Sequence, residues 1–294
     1  MLLRLTGNGS QRSGFYCPGL EEFAMKLEVL MSCMHQQDDK LVRQSQLTGD
    51  VVVINQCDRG GYAEYATDTG IVRMLFTRQR GLTKSRNLAI ETAAADICLL
   101  CDDDETFVPG YEARILDAYE SLPQADVVIF KIINRPPSFP DRVLRLRFPR
   151  TMKVSSCQIS FRRERLLAAG VRFDELLGAG SGNGAEEELK FLLDCERAGL
   201  KIYYVPTEIA SVSQTESTWF RGFTEAFFED RGGTTRYILG AGMASLYAVY
   251  YVLRKRSMYQ SSLSPGKALR ATFRGIRANK IGKQAKGQKE PLPQ

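Results

Sequence analysis

Hydrophobic positions along the chain fall into short continuous runs, separated by amphipathic stretches of about a dozen residues. The runs 27–34, 51–55, 72–76, 97–102 and 126–132 read as strands, and because their apolar residues are consecutive they predict strands covered on both faces. Between them, 38–47, 84–95 and 109–122 carry helical spacing. Parallel neighbours need a crossover of about that length, so the alternation predicts an α/β fold, a doubly wound and mostly parallel sheet with helices on both faces.

The regularity breaks at a Pro-rich stretch, 134–140. Beyond it we read a mixed strand over 153–161, a short helix to Ala169, a Gly-rich loop over 178–184, a helix over 186–198 and a last strand over 201–205 closed by Pro206. The divisions expected from this are an N-terminal extension (1–26), a first α/β half (27–131), a second half (132–232), a helical segment (233–260) and a basic tail (261–294). The Gly, Lys, Gln and Pro content of the tail predicts poor order. The apolar stretch 237–253 sits at the lower limit for a bilayer span and contains Gly240 and Gly242. A helix packed on the domain is the first reading, with an interfacial helix and a membrane span as alternatives.

The net charge of +6 is uneven: from Arg254 onward the only acid is Glu290, whereas the rest of the chain is slightly acidic. The positive charge therefore belongs to an extension suited to an anionic membrane surface. It has few aromatics interleaved with its cations, which argues against nucleic acid as a partner. Seven cysteines, odd in number and scattered, suggest reduced thiols, and 1–26 lacks the apolar core of a secretory leader. A cytoplasmic enzyme, peripheral at the inner face of the membrane, is the expected setting. On a strand Cys98 and Cys101 face opposite ways, so a zinc pair is not expected, and a single histidine, His35, excludes mechanisms that need several.

The candidate chemistry begins where the run 97–101 ends in Asp102, Asp103, Asp104 and Glu105. Adjacent carboxylates are ionised at neutral pH and invite a divalent cation with phosphate oxygens. The alternative is negative charge favoured ahead of the following helix. In open parallel sheets ligands bind at the carboxyl ends of strands, where Ser32, Asn55 and Gln56 also fall.

The run Gly81-Leu82-Thr83-Lys84-Ser85-Arg86-Asn87-Leu88-Ala89, then a strand, then Asp102-Asp103-Asp104, resembles the family 2 glycosyltransferases of GT-A fold. A second block in the right order resembles the acceptor-side segment of that family: Phe173-Asp174-Glu175, the Gly-rich loop, Glu186-Glu187-Glu188 and Ala198-Gly199-Leu200-Lys201. The resemblance implies an inverting, metal-dependent transferase acting on a nucleotide-diphosphate-sugar donor, with a UDP-sugar favoured, and a glycan or lipid-linked acceptor in surface polysaccharide synthesis. It implies Mg2+ or Mn2+ on Asp104 and Asp102, nucleotide-sugar contacts from Ser32, Asn55, Lys84, Arg86, Asn87, Asp102 and Asp103, and Glu188 as the base paired with Glu187. Glu188 stands where the family more often has Asp, which leaves the register open by one residue. Trp219 and Arg231 are the acceptor-side candidates.

Departures from the family pattern are Ser32-Cys33-Met34-His35 and Asn55-Gln56-Cys57-Asp58 at the first two strand ends, which alters base recognition. Ser211 and Ser213 stand where relatives carry a metal-proximal His. Two other readings compete. Asp102-Asp103-Asp104-Glu105-Thr106 also matches the Asp-x-Asp-x-Thr of haloacid-dehalogenase-type phosphatases, although it follows several strands and lacks the later acidic motif. A non-enzymatic basic protein bound to the membrane periphery is the other.

Overall fold

The computed structural model describes residues 25–183, 186–213 and 222–287. Among the described residues ten strands form one sheet: β1 (Leu27–Met34), β2 (Asp50–Gln56), β3 (Gly61–Ala66), β4 (Ile71–Thr77), β5 (Ile97–Cys101), β6 (Glu105–Phe107), β7 (Val127–Ile132), β8 (Leu144–Leu146), β9 (Ile159–Arg162) and β10 (Ile202–Val212). Their order is β3-β4-β2-β1-β5-β9-β7-β10-β6, with β8 also on β10. β1, β2, β4, β5, β7 and β10 point one way; β9 lies antiparallel between β5 and β7. The helices are α1 (Lys40–Gln44), α2 (Leu82–Thr92), α3 (Tyr111–Ser121), α4 (Arg163–Ala168), α5 (Glu187–Arg197), α6 (Glu225–Arg254), α7 (Arg256–Tyr259), α8 (Pro265–Ala278) and α9 (Lys280–Gly287).

Each face of the sheet has its own core, as the consecutive apolar runs require. Val29, Met31 and Cys33 of β1 pack with α1 and α3 through Val42, Ile115 and Tyr119. Leu30 points the other way, into a core with Ala89 and Ile90 of α2 and Phe191 and Leu192 of α5. Alternate residues of one strand thus serve opposite layers.

Several expectations are corrected. The stretch 153–161 is not one strand. One 3-10 turn, Arg150–Lys153, leads into it and a second, Ser156–Gln158, lies within it before β9, and the amide of Ser155 donates to Gln158 Oε1 at 3.1 Å, a local bond that competes with a strand ladder. β10 does not stop at Pro206. Its pairing with β7 shifts register between Tyr204 and Glu208, and that irregularity accommodates a residue with no N–H to give. The edge strand β3, half-exposed along its length, went unread, and β7 straddles the expected 131/132 division, so both halves share one sheet.

The poor order expected from Ser261 onward is also corrected over 265–287. Ser264 caps α8 by accepting from the Lys267 amide, Pro265 occupies its first turn, and Asn279 ends it in the left-handed region. α8 packs on α6 through Ala268, Ala271, Thr272 and Gly275. A Cβ on Gly275 would lie 1.9 Å from the Glu229 carbonyl oxygen, so the two backbones are in contact. α9 and the middle of α6 reach α5, with Ile281 and Ile238 against Leu189 and Leu193. The expected 232/233 boundary falls inside α6, which bends at Gly240. Among the described residues no helix is long and apolar enough to cross a membrane.

Candidate active site

The carboxyl ends of β1, β2 and β5 and the start of α2 meet the start of α5 around one buried arginine. Arg86, 2% exposed on α2, donates from Nη2 to both oxygens of Asp102, at 3.0 and 3.2 Å. Its Nη1 lies 3.5 Å from Glu187 Oε1 and 3.6 Å from Glu188 Oε1. Burial works against the Arg86 charge, but Asp102, Glu188 and Glu187 outweigh it and hold the guanidinium ionised. Nη1 and Glu187 Oε2 are buried with no hydrogen-bond partner, so the centre retains unsatisfied polar atoms.

Around Asp102 the turn is braced from several sides. Ser156 donates its hydroxyl to Asp102 Oδ2 at 2.7 Å, and Glu105 folds back so that its Oε1 accepts from the Asp102 amide at 2.9 Å. Burial, then the Asp102 charge, pushes the Glu105 carboxyl well above its ordinary range. The Asp104 carbonyl accepts from both the amide and the hydroxyl of Ser213, at 2.8 and 2.9 Å. Burial and the neighbouring Asp102 charge raise Asp103, and the same causes with Asp103 added raise Asp104. Two adjacent acids resisting ionisation mark a place where cationic charge is in deficit. Among the described residues no three Asp, Glu, His or Cys side chains converge as a ready metal cage. The hard oxygen donors present are those of Asp104 and Asp102, and Asp102 is already engaged by Arg86 and Ser156.

The second acidic group opens α5. Glu186, its N-cap, sits in the left-handed region (φ 86°), an uncommon place for a residue with a Cβ. Gly178 lets Glu187 come close, since a Cβ there would meet Glu187 Cδ at 3.1 Å and Thr83 Cγ2 at 3.2 Å. Burial first, then the Glu187 charge, pushes Glu188 from its ordinary 4.5 up to about 7, against the pull of Arg86. Burial raises Glu187 as well.

The residues read from sequence as donor contacts separate into two sets. Asn55 is fully buried, and its amide is committed to the main chain of Gln36, accepting at 3.0 Å and donating at 2.6 Å. Asn87 holds both main-chain groups of Phe173 at 2.9 Å, fastening α2 to the segment ahead of the Gly-rich loop. Ser32 is buried and accepts from Ser85 at 2.9 Å. These three and Arg86 are therefore the floor of the crevice, whereas Lys84, Asp102, Asp103 and Asp104 keep exposed surface.

Arg231 is also committed internally: Nη2 lies 2.9 Å from both Glu186 Oε1 and the Tyr247 hydroxyl, and the guanidinium sits 4.0 Å over the Tyr251 ring. It ties α6 to the start of α5 and holds the Glu186 side chain. Trp219 lies outside the described residues. Sequence reading missed Ser156, hidden in a stretch taken for a strand. It also missed the cavity of about 530 Å³ that opens beside Glu186 and Glu188 and is walled by residues of the Pro-rich loop.

Residues 38–174 match the family model described as glycosyl transferase family 2, a span that holds the Arg86 helix and the whole acidic cluster. The structure of residues 1–349 of S. aureus TarS in complex with UDP-GlcNAc superposes with a TM-score of 0.53 at 15% identity, covering 81% of this chain and 74% of that one. The complex of the same fragment with UDP gives 0.51 at 15%, covering 92% and 93%. At such identity the likeness speaks for the fold. No curated protein matches the chain in sequence.

Proposed function

We propose that this chain, whose residues 38–174 match the family model described as glycosyl transferase family 2, is a glycosyltransferase that moves a sugar from a nucleotide-diphosphate donor to an acceptor hydroxyl with inversion, in surface polysaccharide or glycan synthesis. The observation that carries the reading is Arg86, which joins the acids after β5 to the acids opening α5 within 3.6 Å. Two carboxylate groups with different surroundings at one crevice suit a reaction that needs a charge-holding site and a base. The UDP-GlcNAc and UDP in the TarS structures support a uridine diphosphate sugar as donor. The phosphatase and non-enzymatic readings lose their footing with the family match.

Asp104, with Asp102 beside it, supplies the hard oxygens that Mg2+ or Mn2+ prefers when diphosphate completes the shell. Such a cation would neutralise the leaving diphosphate. Glu188 accepts the proton of the acceptor hydroxyl; the acceptor oxygen bonds the anomeric carbon as the bond from that carbon to the diphosphate breaks, and the electron pair leaves with the diphosphate. A carboxyl raised to about 7 is well matched to general-base work at neutral pH. Arg86 keeps Glu188 from rising further, and Glu187 shares that charge. Lys84, at the start of α2, faces the donor phosphates. A thermal-shift panel tests this: UDP should stabilise the wild type more with Mn2+ than without, and Asp104→Ala should lose the difference. No metal-dependent shift in the wild type would sink the reading.

A place at the membrane periphery is supported by α6. Met243, Leu246, Val249, Tyr250 and Leu253 are exposed and recur on one helical face, next to exposed Arg254, Lys255 and Arg256. Since α8 packs on α6, truncation at Ser261 would test folding instead of attachment. Leu246→Glu with Leu253→Glu should release the protein from phosphatidylglycerol vesicles on sedimentation with its melting temperature unchanged; undiminished vesicle binding argues against a membrane face.

A further inference from the structure

Arg231 and Tyr247 lie 16 residues apart on α6 and yet touch. A straight helix would hold them about 24 Å apart. They meet because α6 doubles back at Gly240, whose φ of 80° suits glycine. Phe228 and Tyr251 meet across the same two arms, with ring centroids 6.4 Å apart. The second arm thereby cages the Arg231 guanidinium: Nη2 donates to the Tyr247 hydroxyl at 2.9 Å, and the Tyr251 ring lies 4.0 Å from its centre. Burial works against that charge, but Glu186, then Tyr247 and Tyr251, outweigh it. Its Nε is buried with no hydrogen-bond partner among the described residues, so the cage fixes the arginine without satisfying all of it.

What the caged arginine holds is Glu186, at 2.9 Å. A residue with a Cβ stays in the left-handed region only where its surroundings insist on it. An N-cap side chain ordinarily accepts from the first helical amides, but that of Glu186 makes no such bond and pairs with Arg231 instead. The Glu186 carbonyl accepts from the Lys190 amide at 3.1 Å, so the turn closed by those two residues encloses Glu187 and Glu188. Resting on the transferase reading above, we propose that Arg231, caged by Tyr247 and Tyr251, is a positioning residue. By holding Glu186 in its left-handed turn it keeps the first turn of α5 closed and Glu188 directed at the acceptor hydroxyl. The role requires no contact between Arg231 and substrate.

The experiment follows UDP release from UDP-GlcNAc with Mn2+ in the full chain, with water as the acceptor. A misplaced reacting group loses rate without losing the donor, so Arg231→Met should lower kcat about thirtyfold and leave the KM for UDP-GlcNAc unchanged. Tyr247→Phe, which keeps the ring and loses the hydroxyl, should lower kcat about threefold. Glycine adopts the left-handed turn unaided. Glu186→Gly should therefore cost kcat less than Arg231→Met does, and adding Arg231→Met to it should cost no more than about threefold further. The proposal falls if Arg231→Met raises KM at unchanged kcat, which would make it a substrate contact. It falls equally if Arg231→Met costs as much in the Glu186→Gly background as alone, or if Glu186→Gly is as slow as Arg231→Met, which would put the Glu186 carboxylate itself to work. Urea unfolding of the same variants needs no turnover: the fall in midpoint from Arg231→Met should shrink by about half or more in the Glu186→Gly background, and equal falls overturn the clamp. A wild type that neither releases UDP nor is stabilised by it would overturn the transferase reading instead, and the urea measurement would still decide whether Arg231 sets the turn.

Discussion

The acids after β5 and the acids opening α5 share Arg86 and differ in what else surrounds them. Asp102 is 28% exposed, takes two oxygens' worth of contact from Arg86 and a further bond from Ser156. Glu187 and Glu188 are 6% and 19% exposed, lie farther from the guanidinium and repel one another. One cation thus serves two masters unequally: hydrogen-bonded to Asp102, it holds that carboxylate in place, and at 3.5 to 3.6 Å it only moderates the glutamates. Identical chemistry in the side chains yields a carboxylate held in place on one side and a carboxyl raised to about 7 on the other.

The heaviest blow to this arrangement is Arg86→Met. It keeps the volume and deletes the charge, leaving three carboxylates facing one another with no counter-ion. Removing one partner of a buried ion pair costs about 3–5 kcal/mol, and urea unfolding should find a loss in that range. A loss below about 1 kcal/mol would mean that the two acidic groups are held independently.

Next in size is the contrast between Glu188→Gln and Glu187→Gln. Loss of a general base costs about 10²–10⁴ in rate, so Glu188→Gln should lower kcat that far while UDP still stabilises the protein. Glu187→Gln should cost much less; the reverse ranking would move the base by one residue. The wild type should show kcat/KM rising with pH to a limb near 7, absent in the slow variant. Stability runs the opposite way. Because the folded-state pKa of Glu188 is raised, the folded protein binds the extra proton, so its contribution is fully present below about 4.5 and is lost as pH rises through about 7. Denaturation midpoints measured across that window should fall with pH, and should flatten in Glu188→Gln.

How far this was readable beforehand depends on what kind of packing each part uses. β1 and β5 announce themselves because their apolar residues are consecutive and both faces are covered. The acidic cluster and the Glu186-Glu187-Glu188 run were legible as residue types at plausible places, but their junction at Arg86 was not. That junction requires three segments far apart in sequence, and the same arginine reads equally well as a phosphate contact. Asn55 and Asn87 show the same ambiguity: an amide suited to a nucleobase is equally suited to clamping the main chain of Gln36 or Phe173. A helix packed on the domain was legible over 237–253, but its partner α8 was not, for another reason. Its interface of Ala268, Ala271, Thr272 and Gly275 is built on close backbone approach, and small residues carry little hydrophobic signal, so the segment read as a poorly ordered basic tail. β3, an exposed edge strand, had no buried face to reveal it.

The finest adjustment of the comparison is Ser156→Ala. It removes the 2.7 Å hydroxyl bond to Asp102 Oδ2 and touches neither glutamate. A hydrogen bond to a charged group contributes about 1.5–3 kcal/mol, but water can reach a carboxylate more than a quarter exposed, so about 1 kcal/mol should be lost. The functional consequence follows from which carboxylate is altered. Freed on one side, Asp102 can rotate about its remaining contact with Arg86, so nucleotide affinity should weaken several-fold while the pH limb near 7, which belongs to Glu188, stays in place. A limb that moves with Ser156→Ala would show that Asp102 and Glu188 titrate as one unit through Arg86, and the distinction between the two acidic groups would have to be given up.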